Sequence, residues 1–96
     1  MSEAYHIKIQ GQDYHIREDM VEALEAYANK GRPLGDFLKA VVSNNLTEAC
    51  LRADYQNLAN IQAYAHYLYW VMPSKAWHSE QAYYDWLKKF VEVKTL

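Results

Sequence analysis

Residues 31–54 read GRPLGDFLKAVVSNNLTEACLRAD, and the punctuation of this stretch decides the fold. Gly31 follows a helical run and Pro33 comes soon after it, which marks a helix C-terminus. Gly35-Asp36 opens a second helix whose apolar face is Phe37, Leu38, Val41 and Val42. Ser43-Asn44-Asn45 interrupts that helix. Asn45 with Glu48 three residues on is an Asn variant of the capping box. It starts a short third helix with Leu46, Ala49, Cys50 and Ala53 on its apolar side. Arg52 has Glu48 one turn behind it and Asp54 just ahead, and Asp54 also suits the cap of a fourth helix.

Upstream, the period changes twice. Glu18 to Asn29 is helical, with Met20, Leu24 and Tyr27 in line and Ala23 and Ala28 beside them. Before it, Tyr5 to Ile9 and Tyr14 to Ile16 alternate apolar and polar residues, with Gly11-Gln12 between. Glycine first in a short loop predicts a type II′ hairpin. That loop sets Ile9 opposite Tyr14 and Ile7 opposite Ile16. Lys8 then shares the outer face with His15, and His6 with Arg17. A lone hairpin is marginal, so its apolar face is expected to lie on helices.

Downstream, a fourth helix is predicted from Asp54 to Val71 and is ended by Pro73. Leu58, Ile61, Ala65, Leu68 and Met72 form a heptad-like seam along it. Tyr64, Tyr67 and Val71 mark a second side, and Ala59, Ala63 and Trp70 a third. A helix apolar nearly all round is central to its domain or covered by another copy. Ser79 is placed to cap a last helix, Glu80 to about Val91, that buries Ala82, Tyr83, Trp86, Leu87 and Phe90. The resulting class is α+β, mainly α. One domain over residues 1–96 comprises a hairpin (1–17) and about five helices (18–96), two of them short.

Composition narrows the function classes. Residues of the apolar set make up 51% of the chain, enough for one modest core. A net charge of −2 supplies no field to attract nucleic acid or an anionic membrane, and it is too small for an acidic DNA mimic. No apolar run is long enough to span a bilayer. The opening MSEAYHIKIQ lacks a basic stretch followed by an apolar one, so no secretory leader is expected and the cytoplasm is the default location. Cys50 is the single cysteine, which excludes an internal disulfide. Nine tyrosines and three tryptophans are more than so small a core can hold, so some of them are expected at an interface.

The order of parts from Met20 to Trp86 resembles a family of small phage- and prophage-encoded proteins. The resemblance rests on the helix Val21 to Tyr27, the quoted 31–54 stretch, Asn57, the run YLYWVMPSKAWHS and Trp86. Family members commonly show Pro-Gly before Phe-Leu, where this chain has Leu34-Gly35. They also tend to carry Cys-Trp-Gly-Ser where this chain has Ala76-Trp77-His78-Ser79. The resemblance implies a mobile-element origin and a host-cell setting, and it carries over no catalytic residue.

Several candidate sites are weighed on chemistry. His6, His15, His66 and His78 fall into no metal-ligand spacing, and Lys8 and Arg17 near the hairpin pair oppose a cation, so no metal is expected. Cys50, on an apolar face, reads as a small hydrophobe. Gly31 and Gly35 lack the pattern of a phosphate loop, and Asp36 opposes an anion there. Neither paired carboxylates nor an activated nucleophile is present, so no enzyme and no cofactor is expected. The aromatic set Tyr64, Tyr67, Tyr69, Trp70 and Trp77 is the leading candidate interface. The leading function is a non-enzymatic, homo-oligomeric binding protein of phage or prophage origin that occupies a host protein, with a defence component as the candidate target. The first alternative is a nucleotide-sequestering oligomer in which aromatics stack the base and Arg52 or Lys75 meets phosphate. A DNA-binding regulator ranks last, because the basic residues are scattered.

Overall fold

The computed structural model describes residues 4–95. Met1, Ser2 and Glu3 of the stretch read for a leader therefore lie outside the described residues. The element order is β1 (Tyr5–Ile9), β2 (Gln12–Ile16), α1 (Glu18–Lys30), α2 (Asp36–Val42), α3 (Leu46–Arg52), α4 (Tyr55–Ala59), α5 (Ile61–Trp70), a 3-10 turn (Ser74–Ala76) and α6 (Glu80–Thr95). The fold is α+β and mainly α: a two-stranded antiparallel hairpin laid on a set of helices.

The hairpin forms with a register two residues from the expected one. Gln10 (φ 50°) and Gly11 (φ 81°) are the loop, and two positive φ values make it type I′ rather than II′. The pairs are Tyr5 with Ile16, His6 with His15, Ile7 with Tyr14, Lys8 with Asp13 and Ile9 with Gln12. A shift of two keeps each side chain on its face. Tyr5, Ile7, Tyr14 and Ile16 still point inward, and Ile16 is fully buried. The type I′ turn matches the strand twist, brings Tyr5 into the ladder and frees Arg17. Arg17 leaves the sheet, precedes α1, and binds Asp19 (3.1 Å) and Asp54 (2.8 Å).

Helix α1 buries Val21, Leu24 and Tyr27 and ends at Gly31 in the left-handed region (φ 67°). A Cβ at Gly31 would stand 2.4 Å from the Phe90 ring, so glycine serves both the turn and the approach of α6. Helix α2 buries Phe37, Leu38, Val41 and Val42 as its sequence predicts. Asn44 (φ 61°) turns the chain, and the Asn45 side chain accepts the Glu48 N–H to start α3. Within α3 only Ala49 is fully buried; Leu46 and Leu51 face solvent, against expectation for Leu46.

The predicted Asp54-to-Val71 helix is two helices. Asp54 caps α4 by accepting the Asn57 N–H (2.8 Å), and the chain breaks at Asn60 (φ −115°). Asn60 is buried. Its Oδ1 accepts the His15 N–H (2.8 Å) while its Nδ2 donates to the Gln56 carbonyl (2.8 Å), so one amide ties the hairpin to the end of α4. The bend dissolves the seam: Leu58 and Ala65 are exposed, whereas Leu68 and Met72 are buried.

The core closes around tyrosines. Tyr27 stacks on Tyr83 (5.4 Å between centroids), donates its hydroxyl to the Ala76 carbonyl (2.6 Å), and its own carbonyl accepts the Trp86 indole N–H (3.0 Å). Ser79 caps α6 through the Ala82 N–H (3.0 Å). His78 holds φ 108°, a conformation suited to glycine.

Candidate interaction surface

Helix α5 sorts the candidate aromatics by angle. Ala63, Tyr64, Tyr67 and Leu68 lie on its inner side. Tyr64 is 1% exposed and donates its hydroxyl to Asn57 Oδ1 (2.6 Å), and its ring meets Phe37 edge-on. Tyr67 is 4% exposed and packs edge-on against Tyr5. These two are therefore core residues and not interface residues. Burial raises the pKa of Tyr64, and raises that of Tyr67 to about 12.

Tyr69 (70% exposed) and Trp70 (68% exposed) point outward. Their rings meet at 5.0 Å, and Trp70 also lies 6.0 Å from the His66 ring. His66 is itself anchored through Nδ1 to the Tyr5 hydroxyl (3.2 Å). One aromatic cluster thus covers the outer side of α5, fixed at one end to the hairpin. Trp77 is half-buried against the core and stacks on His78 at 3.8 Å, separate from that cluster's ring contacts.

Along the flank of α5 runs a narrow apolar cleft of about 80 Å³, lined by Leu46, Ala49, Ile61, Ala65 and Leu68 among others. Ligand pockets typically have about 300–1,000 Å³. This cleft can seat one apolar side chain but not a nucleotide. Leu46 (68% exposed) stands at its edge. Helical period predicts Leu46 inside and gives no sign of Leu51 or Tyr55 at the surface, where both are exposed. The signal that could have found the surface is charge: from Tyr55 to Ser74 the chain has no Asp, Glu, Lys or Arg.

The second hollow, about 350 Å³ between α2, α3 and the start of α6, is polar. Arg52 lies on it, bound to Glu48 (3.2 Å) and Asp36 (3.6 Å) and not to Asp54, which is taken by Arg17. Lys39 donates to the Tyr84 hydroxyl (2.6 Å) and faces Glu80 (3.8 Å). Its pKa is raised, chiefly by the Tyr84 bond. Three carboxylates thus surround two cations that already have partners, a poor setting for phosphate. Lys75 stands exposed on the 3-10 turn and does not line this hollow. Asp54 is held below the usual carboxylate range, first by the Asn57 N–H and then by Arg17.

Among the described residues, no three His, Cys, Asp or Glu side chains converge as a metal cluster, and no helix is long and apolar enough to cross a membrane. Comparisons with protein-family models, with curated proteins and with solved structures find no match to this chain.

Proposed function

We propose that this chain is a non-enzymatic binding protein that self-associates through the outer face of α5 and acts on a host-cell protein in the cytoplasm. One observation carries the reading. The Tyr69–Trp70–His66 cluster is exposed on a stretch without formal charge. A helix that carries no formal charge of its own adds no like-charge repulsion when it faces its two-fold copy, and the apolar cleft on another flank of α5 offers a seat for a side chain such as Leu46 from that copy. Large aromatics at such patches supply most binding energy in protein interfaces. The phage or prophage origin, and with it a host target, rests on the Met20-to-Trp86 resemblance. Nucleotide sequestration draws less support, because the hollow that holds Arg52 has an excess of carboxylates.

Light scattering after size exclusion tests the self-association. The wild type is expected to run as a dimer or larger, and Tyr69→Glu/Trp70→Glu as a monomer with unchanged helical circular dichroism. A wild-type monomer at all concentrations, or an oligomer that survives both substitutions, refutes the α5 interface. Capture from host lysate with wild type and variant in parallel then asks whether the target shares that face.

A further inference from the structure

The corrected hairpin register brings two imidazoles together. His6 is directly opposite His15 on the solvent side of the sheet, with ring centroids 5.8 Å apart and planes inclined by 25°. The His15 N–H donates to Asn60 rather than across the ladder. The pair is therefore of the non-hydrogen-bonded kind, in which opposed Cα atoms approach to about 4.5 Å and side chains are closest. We propose that His6 and His15 form a two-ligand clip for a divalent transition-metal ion of the zinc, copper or nickel type, for which imidazole is a preferred donor.

Three features support the clip. The neighbouring cations, which oppose a metal by sequence, face carboxylates: Lys8 lies 3.9 Å from Asp13, and Arg17 pairs with Asp19 and Asp54. A hollow of about 220 Å³ lined by His6, Ile7, Lys8, Asp13 and Tyr14 opens beside His6, giving room for water ligands on that side of the pair. The scaffold is pinned on one side, since Asn60 holds the His15 backbone. Gln56 Nε2 lies 2.9 Å from His15 Nε2, while Gln56 Oε1 accepts from Arg17 (3.3 Å). That amide is a donor to the His15 ring, and a metal ion taking Nε2 would displace one exposed hydrogen bond. With two protein ligands, water or a donor from another molecule completes the four-coordinate shell that zinc favours.

The test is isothermal titration of the intact protein with zinc chloride, paired with thermal unfolding. The wild type is expected to bind one zinc ion per chain saturably, and its unfolding midpoint to rise with zinc because the ion bridges both strands. Outer-shell losses alone weaken metal sites by about 10–100-fold, so His6→Gln or His15→Gln is expected to weaken binding by at least about tenfold. Gln56→Ala, which only removes the competing amide, is expected to keep or tighten binding. His78→Asn and Cys50→Ser are expected to change nothing. Zinc binding that persists in His6→Gln but disappears in Cys50→Ser, or no saturable binding by the wild type, overturns the proposal.

Discussion

Tyr67 and Tyr69 sit two residues apart on one helix, and the molecule uses them in opposite ways. Tyr67 faces Tyr5 in the core; Tyr69 faces Trp70 in solvent. The same contrast runs along all of α5. Its inner side is closed by Tyr64 and Leu68, with the Tyr64 hydroxyl satisfied by Asn57. Its outer side carries residues just as large and just as uncharged, and among the described residues Tyr69 and Trp70 stay mostly exposed. Composition cannot separate these faces. The bend at Asn60 does, because it sets the rotation at which α5 meets the hairpin.

Substitutions can break the inner face and spare the outer one. The largest effect is expected for Tyr64→Ala, which leaves a cavity beside Phe37 and orphans the buried Asn57 amide. Large-to-small aromatic changes in cores cost about 3–5 kcal/mol, enough to unfold a small domain, and urea denaturation reads this directly. Asn60→Ala follows at about 1–3 kcal/mol, the cost of leaving the His15 N–H unpaired. Urea midpoints should show it together with faster amide exchange across β2.

Base should test the inner face through Tyr67. Burial raises Tyr67 from about 10 to about 12. Both folded and unfolded chains hold its proton below pH 10, so its contribution is complete there. The unfolded chain then ionises first, and that contribution is lost as pH rises from about 10 to about 12. A phenolate absorbance titration of the wild type against Tyr67→Phe should show Tyr67 ionising only as the fold opens, above pH 10. Ionisation of Tyr67 near pH 10 with the fold intact would overturn its place in the core. The smallest effect on monomer stability belongs to Tyr69→Ser and Trp70→Ser, within about 0.5 kcal/mol in dilute protein. A loss comparable with Tyr64→Ala would mean that the outer ring cluster is structural.

Much of this fold can be read from residue order, and the misses share a cause. Gly31, Asn45, Asp54 and Ser79 punctuate the helices where their local chemistry says they should. Alternation assigned the strand faces correctly even though the register was wrong, since parity survives a shift of two residues. What failed was long-range. Asn60 looks like an ordinary polar residue inside a helix until His15 arrives from far upstream to use its amide. The aromatic surface was half legible: the excess was plain, but Tyr64 and Tyr67 could be moved to the core only once the hairpin had a place. Leu46, by contrast, follows a helical period and still faces water, because α3 is too short to bury more than Ala49.

The links that fix the hairpin have a consequence for synthesis. Tyr5 meets His66 and Tyr67, His15 meets Asn60, and Arg17 meets Asp54, so the strands made first find their partners only after α4 and α5 have been made. Tyr27 waits longer still, for Ala76, Tyr83 and Trp86. A nascent chain leaving the ribosome therefore carries the hairpin and α1 without their core partners until α4, α5 and α6 have emerged. Chains arrested before Tyr83 should be open to proteases, whereas the completed chain should close in one step.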